Sequence, residues 1–162
     1  MKNGLSSMME QSGTFEAILD NLEAIGRFVT RFMREEAKLP DDLVNNFEVS
    51  VDEHVANLIE HAFQQQPNHA ITIVCRHDEE KAQVSIIDDS AGFDPRGYKI
   101  PHVSEKAIYE LPPGGFGNYF ICTLMDQVEY LHRPGIRNEL ILTVNKGKER
   151  IDAAIKEDAS WM

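Results

Sequence analysis

The sequence predicts an α+β fold in which helices lie on one face of a mainly antiparallel sheet. Three observations predict it. Apolar residues recur at three- and four-residue spacing over two long stretches before residue 65. The period then drops to two in four later runs. Those runs pair off around short turn-rich breaks, as antiparallel hairpins do. A length of 162 residues with 42% apolar content suits one domain with its own core.

Residues Met1 to Ser12 are small and polar, so 1–13 are expected to form a flexible tail. Thr14 to Ile18 suggest a short edge strand. Leu22, Ile25, Phe28, Val29, Phe32 and Met33 then define an amphipathic helix, with Asp20 or Asn21 as its N-cap and an end near Leu39-Pro40. Asp41 or Asp42 caps a second helix that runs to about Gln65. Its later half, VSVDEHVANLIEHAF, buries Val51, Val55, Leu58, Ile59 and Ala62 on one stripe. Beside that stripe Glu53 and Asn57 stand one turn apart and point the same way, with Asp52, Glu60 and His61 around them.

After the loop Gln64 to Asn68, the runs Ala70 to Arg76 and Gln83 to Ile87 predict a hairpin. Asp88 to Pro95, DDSAGFDP, forms a turn-rich stop. Arg96 to Pro113 lacks periodicity and suggests a long functional loop or lid, with one helical turn around Glu105 to Tyr109. Gly114-Gly115-Phe116-Gly117 opens a third helix through Tyr119, Phe120, Cys122, Leu124 and Met125. Val128 to His132 and Glu139 to Val144 form a second hairpin around Arg133 to Asn138. Residues 147–162 form a polar tail, leaving 14–146 as the domain.

Acidic residues number 27 against 16 basic ones, a formal charge of -11. That sign opposes direct nucleic-acid binding and adsorption to anionic membranes, and favours encounter with a basic protein. No run of about 18 apolar residues is present, so no membrane span is expected, and the N-terminus lacks the apolar core of a secretory signal. Cys75 and Cys122 lie in apolar segments, which suggests buried thiols in a reducing, cytoplasmic compartment.

Three constellations carry chemistry, each with a plainer alternative. Glu53 and Asn57 suit a hydrated divalent cation backed by phosphate, with Glu53 as general base, or else form a solvated helix face. Asp88 at a strand end suits an exocyclic amino group such as adenine's, with Gly92 admitting a ring, or else begins an acidic turn. Gly114 to Gly117 offer free N–H groups at a helix start, an anion site, or else a simple cap. His54 and His61 are seven apart, which is not the zinc-protease spacing, so satisfied structural histidines are expected. Neither GxxxxGK[ST] nor a strand-linked GxGxxG occurs.

In order and spacing these signals resemble one family. Glu53-x-x-x-Asn57 resembles the N-box of the Bergerat-fold (GHKL, histidine-kinase-like) ATPases. DDSAGFDP resembles their first glycine box, and GGFGNYFICTLMDQVEY the second. The run from Glu53 through Phe63, followed by GFDP and LMDQVEY, is similar to the anti-sigma-factor serine/threonine-protein kinases of the RsbW type. The likeness covers about Thr14 to Lys146. It implies a two-layer α/β sandwich that binds ATP and Mg²⁺. Asn57 would hold the metal and Glu53 would be the base. Asp88 would bind the adenine amino group, and Gly92 would line its pocket. Gly114, Gly115, Phe116 and Gly117 would embrace the phosphates. The family phosphorylates a serine of a small anti-anti-sigma (STAS) protein and sequesters a sigma factor. The likeness also suggests a homodimer, through a sheet edge or the helix from Asp20. The alternative is a catalytically silent, protein-binding module of the same fold. Ser90 departs from the family at the first glycine of the adenine box, which implies a tighter turn or weaker nucleotide binding.

Overall fold

One five-stranded sheet organises the chain. The computed structural model describes residues 7–97 and 121–147. The strands are β1 (Met9–Glu16), β2 (Ala70–His77), β3 (Lys81–Asp88), β4 (Gln127–Leu131) and β5 (Asn138–Asn145). They lie in the order β1-β2-β3-β5-β4, and every neighbouring pair is antiparallel. Two helices, α1 (Leu22–Glu35) and α2 (Asp41–Asn57), complete the described scaffold with the helical turn at Ile121 to Leu124. The fold is α+β with an antiparallel sheet, as the periodicities predict.

Alternation along the strands separates two faces. Ile73, Ile86 and Leu140 form one row across the centre of the sheet, and Cys75, Val84 and Leu142 form the next; all six are fully buried. These rows pack with Ile25, Val29, Phe32 and Met33 of α1 and Phe47, Val51 and Val55 of α2 in one core. The opposite face mixes apolar side chains such as Val74 with polar pairs. There Arg76 is paired with Glu10 and donates to Ser85 Oγ at 2.9 Å, while Gln83 donates to Thr143 Oγ1 at 3.0 Å. Asp88 and Asn138 face each other at the end of the pairing between β3 and β5. They continue the two-residue alternation of Ile86 and Leu140, so they stand on the helix-facing side of the sheet.

Both helices end without glycine. Lys38 takes a left-handed φ of 56°, and Leu39 N–H donates back to Met33 O at 2.9 Å. Beyond α2, a π-helical turn (Leu58–Ala62) ends with Gln64 at φ 52°, where Gln65 N–H reaches Ile59 O at 2.8 Å. In each, an N–H just past the left-handed residue returns to a carbonyl six positions back and satisfies one of the helix's last acceptors.

Several expectations need correction. The first strand begins at Met9, not Thr14, so part of the tail expected over 1–13 is strand. It pairs along its whole length with β2, but its side chains are mostly exposed, so no alternation marks it in the sequence. Asn21 does not cap α1 through its side chain; its amide donates to Glu16 O at 2.9 Å. Pro40 occupies the N-cap of α2, placing Asp41 and Asp42 in the first turn, where their charge favours the helix dipole. Cys75 is buried as expected, whereas Cys122 is exposed. The lid expected after Arg96, the glycine run Gly114 to Gly117 with Phe116, and most of the C-terminal tail lie outside the described residues.

Candidate nucleotide site

Asp88 ends β3 and is 4% exposed. Burying a carboxylate requires donors, and the chain supplies three to one oxygen. Asp88 Oδ1 accepts Ser90 N–H at 2.9 Å, the Ser90 hydroxyl at 2.5 Å, and Asn138 Nδ2 at 3.2 Å. Asp88 Oδ2 is buried and has no hydrogen-bond partner among the described residues. Ser90 Oγ in turn accepts Gly92 N–H at 3.0 Å, and Asn138 Nδ2 also donates to Ser90 O at 2.8 Å. Gly135 N–H donates to the same carbonyl at 2.8 Å, so the tip of the second hairpin is tied to this turn.

Ser90 therefore closes the turn with its hydroxyl where the family pattern has a glycine. At Gly92 the chain's own side chains come close. Its φ is +96°, and an added Cβ would lie 2.3 Å from His132 Cε1 and 2.7 Å from the Tyr130 hydroxyl. The bare backbone admits Tyr130 of β4 and His132 just beyond it. Tyr130 also accepts Phe93 N–H at 2.9 Å, and the Arg96 guanidinium stands 5.9 Å from the Tyr130 ring centre. Arg96 makes a forked pair with Asp94, holding the Asp94 carboxyl below the usual carboxylate range.

Glu53 and Asn57 sit on the last turns of α2. Glu53 is partly buried; burial, then the charges of Asp52 and Glu60, raise its pKa above the ordinary glutamate value. A more basic carboxylate is a better proton acceptor. Asn57 is 7% exposed, and its Nδ2 finds no partner among the described residues. The π-helical turn begins at the next residue, a device common where a helix must present a side chain out of register.

His54 lies between them in sequence and joins this helix to the Asp88 turn. Its ring is 6.4 Å from that of Phe93. It was expected to be a satisfied structural histidine. It is fully buried, yet neither ring nitrogen has a partner among the described residues, and burial lowers its pKa to about 3 despite the opposing influence of Asp94. His61 is exposed. Ser50, His54 and Asn57 thus form a stripe of unpaired polar atoms along α2.

Among the described residues, no group of three or more His, Cys, Asp and Glu is placed to hold a metal. The donor set at Asn57 is an amide beside a carboxylate, which suits a hard cation that keeps waters and phosphate oxygens, as Mg²⁺ does. A separate cavity of about 690 Å³ lies between β1 and α1, lined by Phe15, Arg27, Phe28 and Arg31 among others, and involves none of these residues. The candidate site is marked instead by its unpaired buried atoms.

Tyr130, His132 and Asn138 were not singled out from the sequence. They come from the second hairpin and look there like ordinary strand and turn residues. The available signal was the strand pairing itself, which sets Asn138 opposite Asp88.

A family profile described as "Histidine kinase-like ATPase domain" matches residues 15–144, so the chain belongs to the histidine kinase-like ATPase domain family. Among named relatives, the chain is 29% identical over 98 residues to "Serine-protein kinase RsbW" of Bacillus cereus (strain ATCC 10987 / NRS 248), covering 59% of this chain and 61% of the relative. The proteins of that name from Bacillus cereus (strain B4264) and Bacillus thuringiensis subsp. konkukian (strain 97-27) match over the same shares, at 29% and 28% identity. The match spans about three-fifths of each relative's length. No described helix is long and apolar enough to cross a membrane.

Proposed function

We propose that this chain is a cytoplasmic protein serine kinase that uses Mg-ATP to phosphorylate a serine of a small STAS-type partner and also sequesters a sigma factor. One observation carries the nucleotide part: a buried carboxylate, Asp88, holds one oxygen fixed and leaves the other without a donor. An exocyclic amino group supplies that donor, and an adenine nucleotide carries one. The names of the relatives support the choice of protein partner.

In this reading Asp88 Oδ2 orients the base, and Asn57 supplies an amide oxygen to Mg²⁺. Bound Mg²⁺ neutralises phosphate charge. Glu53 accepts the proton of the substrate serine as its oxygen bonds to the γ-phosphorus, while the bond from that phosphorus to the β–γ bridging oxygen breaks and ADP leaves. Partial burial, and then the charges of Asp52 and Glu60, raise the Glu53 pKa in the direction that transfer needs. The glycines at 114, 115 and 117, with Phe116, complete the proposal as the phosphate-binding turn.

Labelled ATP incubated with candidate STAS proteins tests the reading. Label should appear on a serine with the wild type and vanish in Glu53→Ala, while that variant still binds nucleotide. Nucleotide binding with no label on any serine would favour the silent binding module. No nucleotide binding would end both.

A further inference from the structure

Resting on the nucleotide reading above, we infer that Ser90 and Asn138 are specificity-determining positioning residues. By engaging Asp88 Oδ1 they reduce the carboxylate to a single ligand-facing acceptor. That makes the site accept a base with one amino donor and reject guanine.

The argument begins with the two oxygens. Oδ1 already accepts Ser90 N–H, Ser90 Oγ–H and Asn138 Nδ2–H, whereas buried Oδ2 accepts nothing from the described residues. Asn138 is itself fully buried and held from several sides. Its Oδ1 accepts Arg133 N–H at 3.1 Å and lies 3.0 Å from His132 Nδ1, and its Nδ2 also donates to Ser90 O. The clamp therefore cannot swing away without breaking the hairpin's own bonds.

Base edges respond differently to such a carboxylate. Adenine offers an exocyclic amino donor, which a single acceptor oxygen satisfies. Guanine presents a carbonyl acceptor at the corresponding position, which repels Oδ2. Its ring N–H and amino group form a side-by-side donor pair that needs both carboxylate oxygens at once. With Oδ1 committed inside the protein, that forked mode is denied. The same geometry dictates what an amide at position 88 would do. Three donors converge on the Oδ1 position, so Asp88→Asn must set its carbonyl there and turn its NH₂ toward the ligand. The site would then offer a donor, matching guanine's carbonyl and opposing adenine's amino group.

Calorimetric titration of the full chain with Mg-ATP and with Mg-GTP tests this. The wild type should prefer ATP by more than about tenfold. Ser90→Ala and Asn138→Ser should each narrow that ratio by about threefold or more, partly by tightening GTP. Asp88→Asn should lose ATP and reverse the preference. A purely structural role for Ser90 or Asn138 would weaken both nucleotides together and leave the ratio alone. Asn138→Ser also loosens the hairpin; should it fail to fold, Ser90→Ala, which alters only the turn, decides the matter. A wild type that binds ATP, with an unchanged ratio in the folded variants, overturns the inference and leaves the nucleotide reading standing. A wild type that binds neither nucleotide overturns the nucleotide reading and this inference with it.

Discussion

At the scale of single residues, the site is built from polar atoms left unpaired on purpose or by necessity, and each has a measurable consequence. Gly92 combines a left-handed φ with a position where an added Cβ would run into the His132 ring. Gly92→Ala should therefore lower stability by about 2 kcal/mol or more, read as a reduced urea midpoint at unchanged slope. His54 gives a pH signature. Its ordinary pKa of 6.5 falls to about 3 in the folded chain, so between those values the unfolded chain binds a proton that the native chain refuses. Its contribution makes stability fall as pH drops through that window, by about 1.4 kcal/mol per pH unit. His54→Leu removes both the titration and two unpaired nitrogens. Denaturant melts should show a shallower acid loss and no loss of stability at pH 7. Glu53 has the opposite sense. Its raised pKa should lift the acid limb of the proposed phosphoryl transfer's pH profile above the ordinary glutamate range. Asp52→Asn removes a like charge and should move that limb to lower pH; an unmoved limb would separate Glu53 from the base role.

At the scale of elements, what was legible in the sequence followed from burial on one side. α2 and the pair β2–β3 announce themselves because a 3.6 or a two-residue period records which face meets the core. β1 leaves no such record. Its contribution is a backbone ladder to β2, with residues such as Met9 and Glu10 exposed, so only pairing reveals it. Helix ends were equally hard to place, because Lys38 and Gln64 occupy left-handed positions that the sequence usually marks with glycine. Those two positions predict easy gains. Lys38→Gly and Gln64→Gly should each raise stability by roughly 0.5–1 kcal/mol in urea or thermal melts, by relieving left-handed backbone at a helix closure. An unchanged or lowered midpoint would mean that their side chains contribute more than the strain costs.

At the scale of the whole molecule, the site exists because two remote stretches converge. Glu53, Asn57 and Asp88 could be picked out as candidates since carboxylates and amides at strand ends and on helix faces attract attention in any sequence. Asn138 could not, because it lies 50 positions beyond Asp88 and reaches it only through the pairing of β5 with β3. Tyr130 and His132 enter the same way, through β4 at the sheet's far edge. The strand order is thus what converts an acidic turn into a clamp. Meanwhile His54 against Phe93 brings the helix carrying Glu53 and Asn57 to that clamp. The overall charge of -11 opposes a polyphosphate at long range, so added salt should strengthen encounter with the nucleotide and weaken encounter with a basic protein partner. Most direct is the rise in melting temperature on adding Mg-ATP, compared among the wild type, Asp88→Ala and Asn57→Ala. The wild type should shift upward, Asp88→Ala should lose the shift, and Asn57→Ala should lose its magnesium-dependent part. Both variants shifting as far as the wild type would contradict a nucleotide site shared by these two residues.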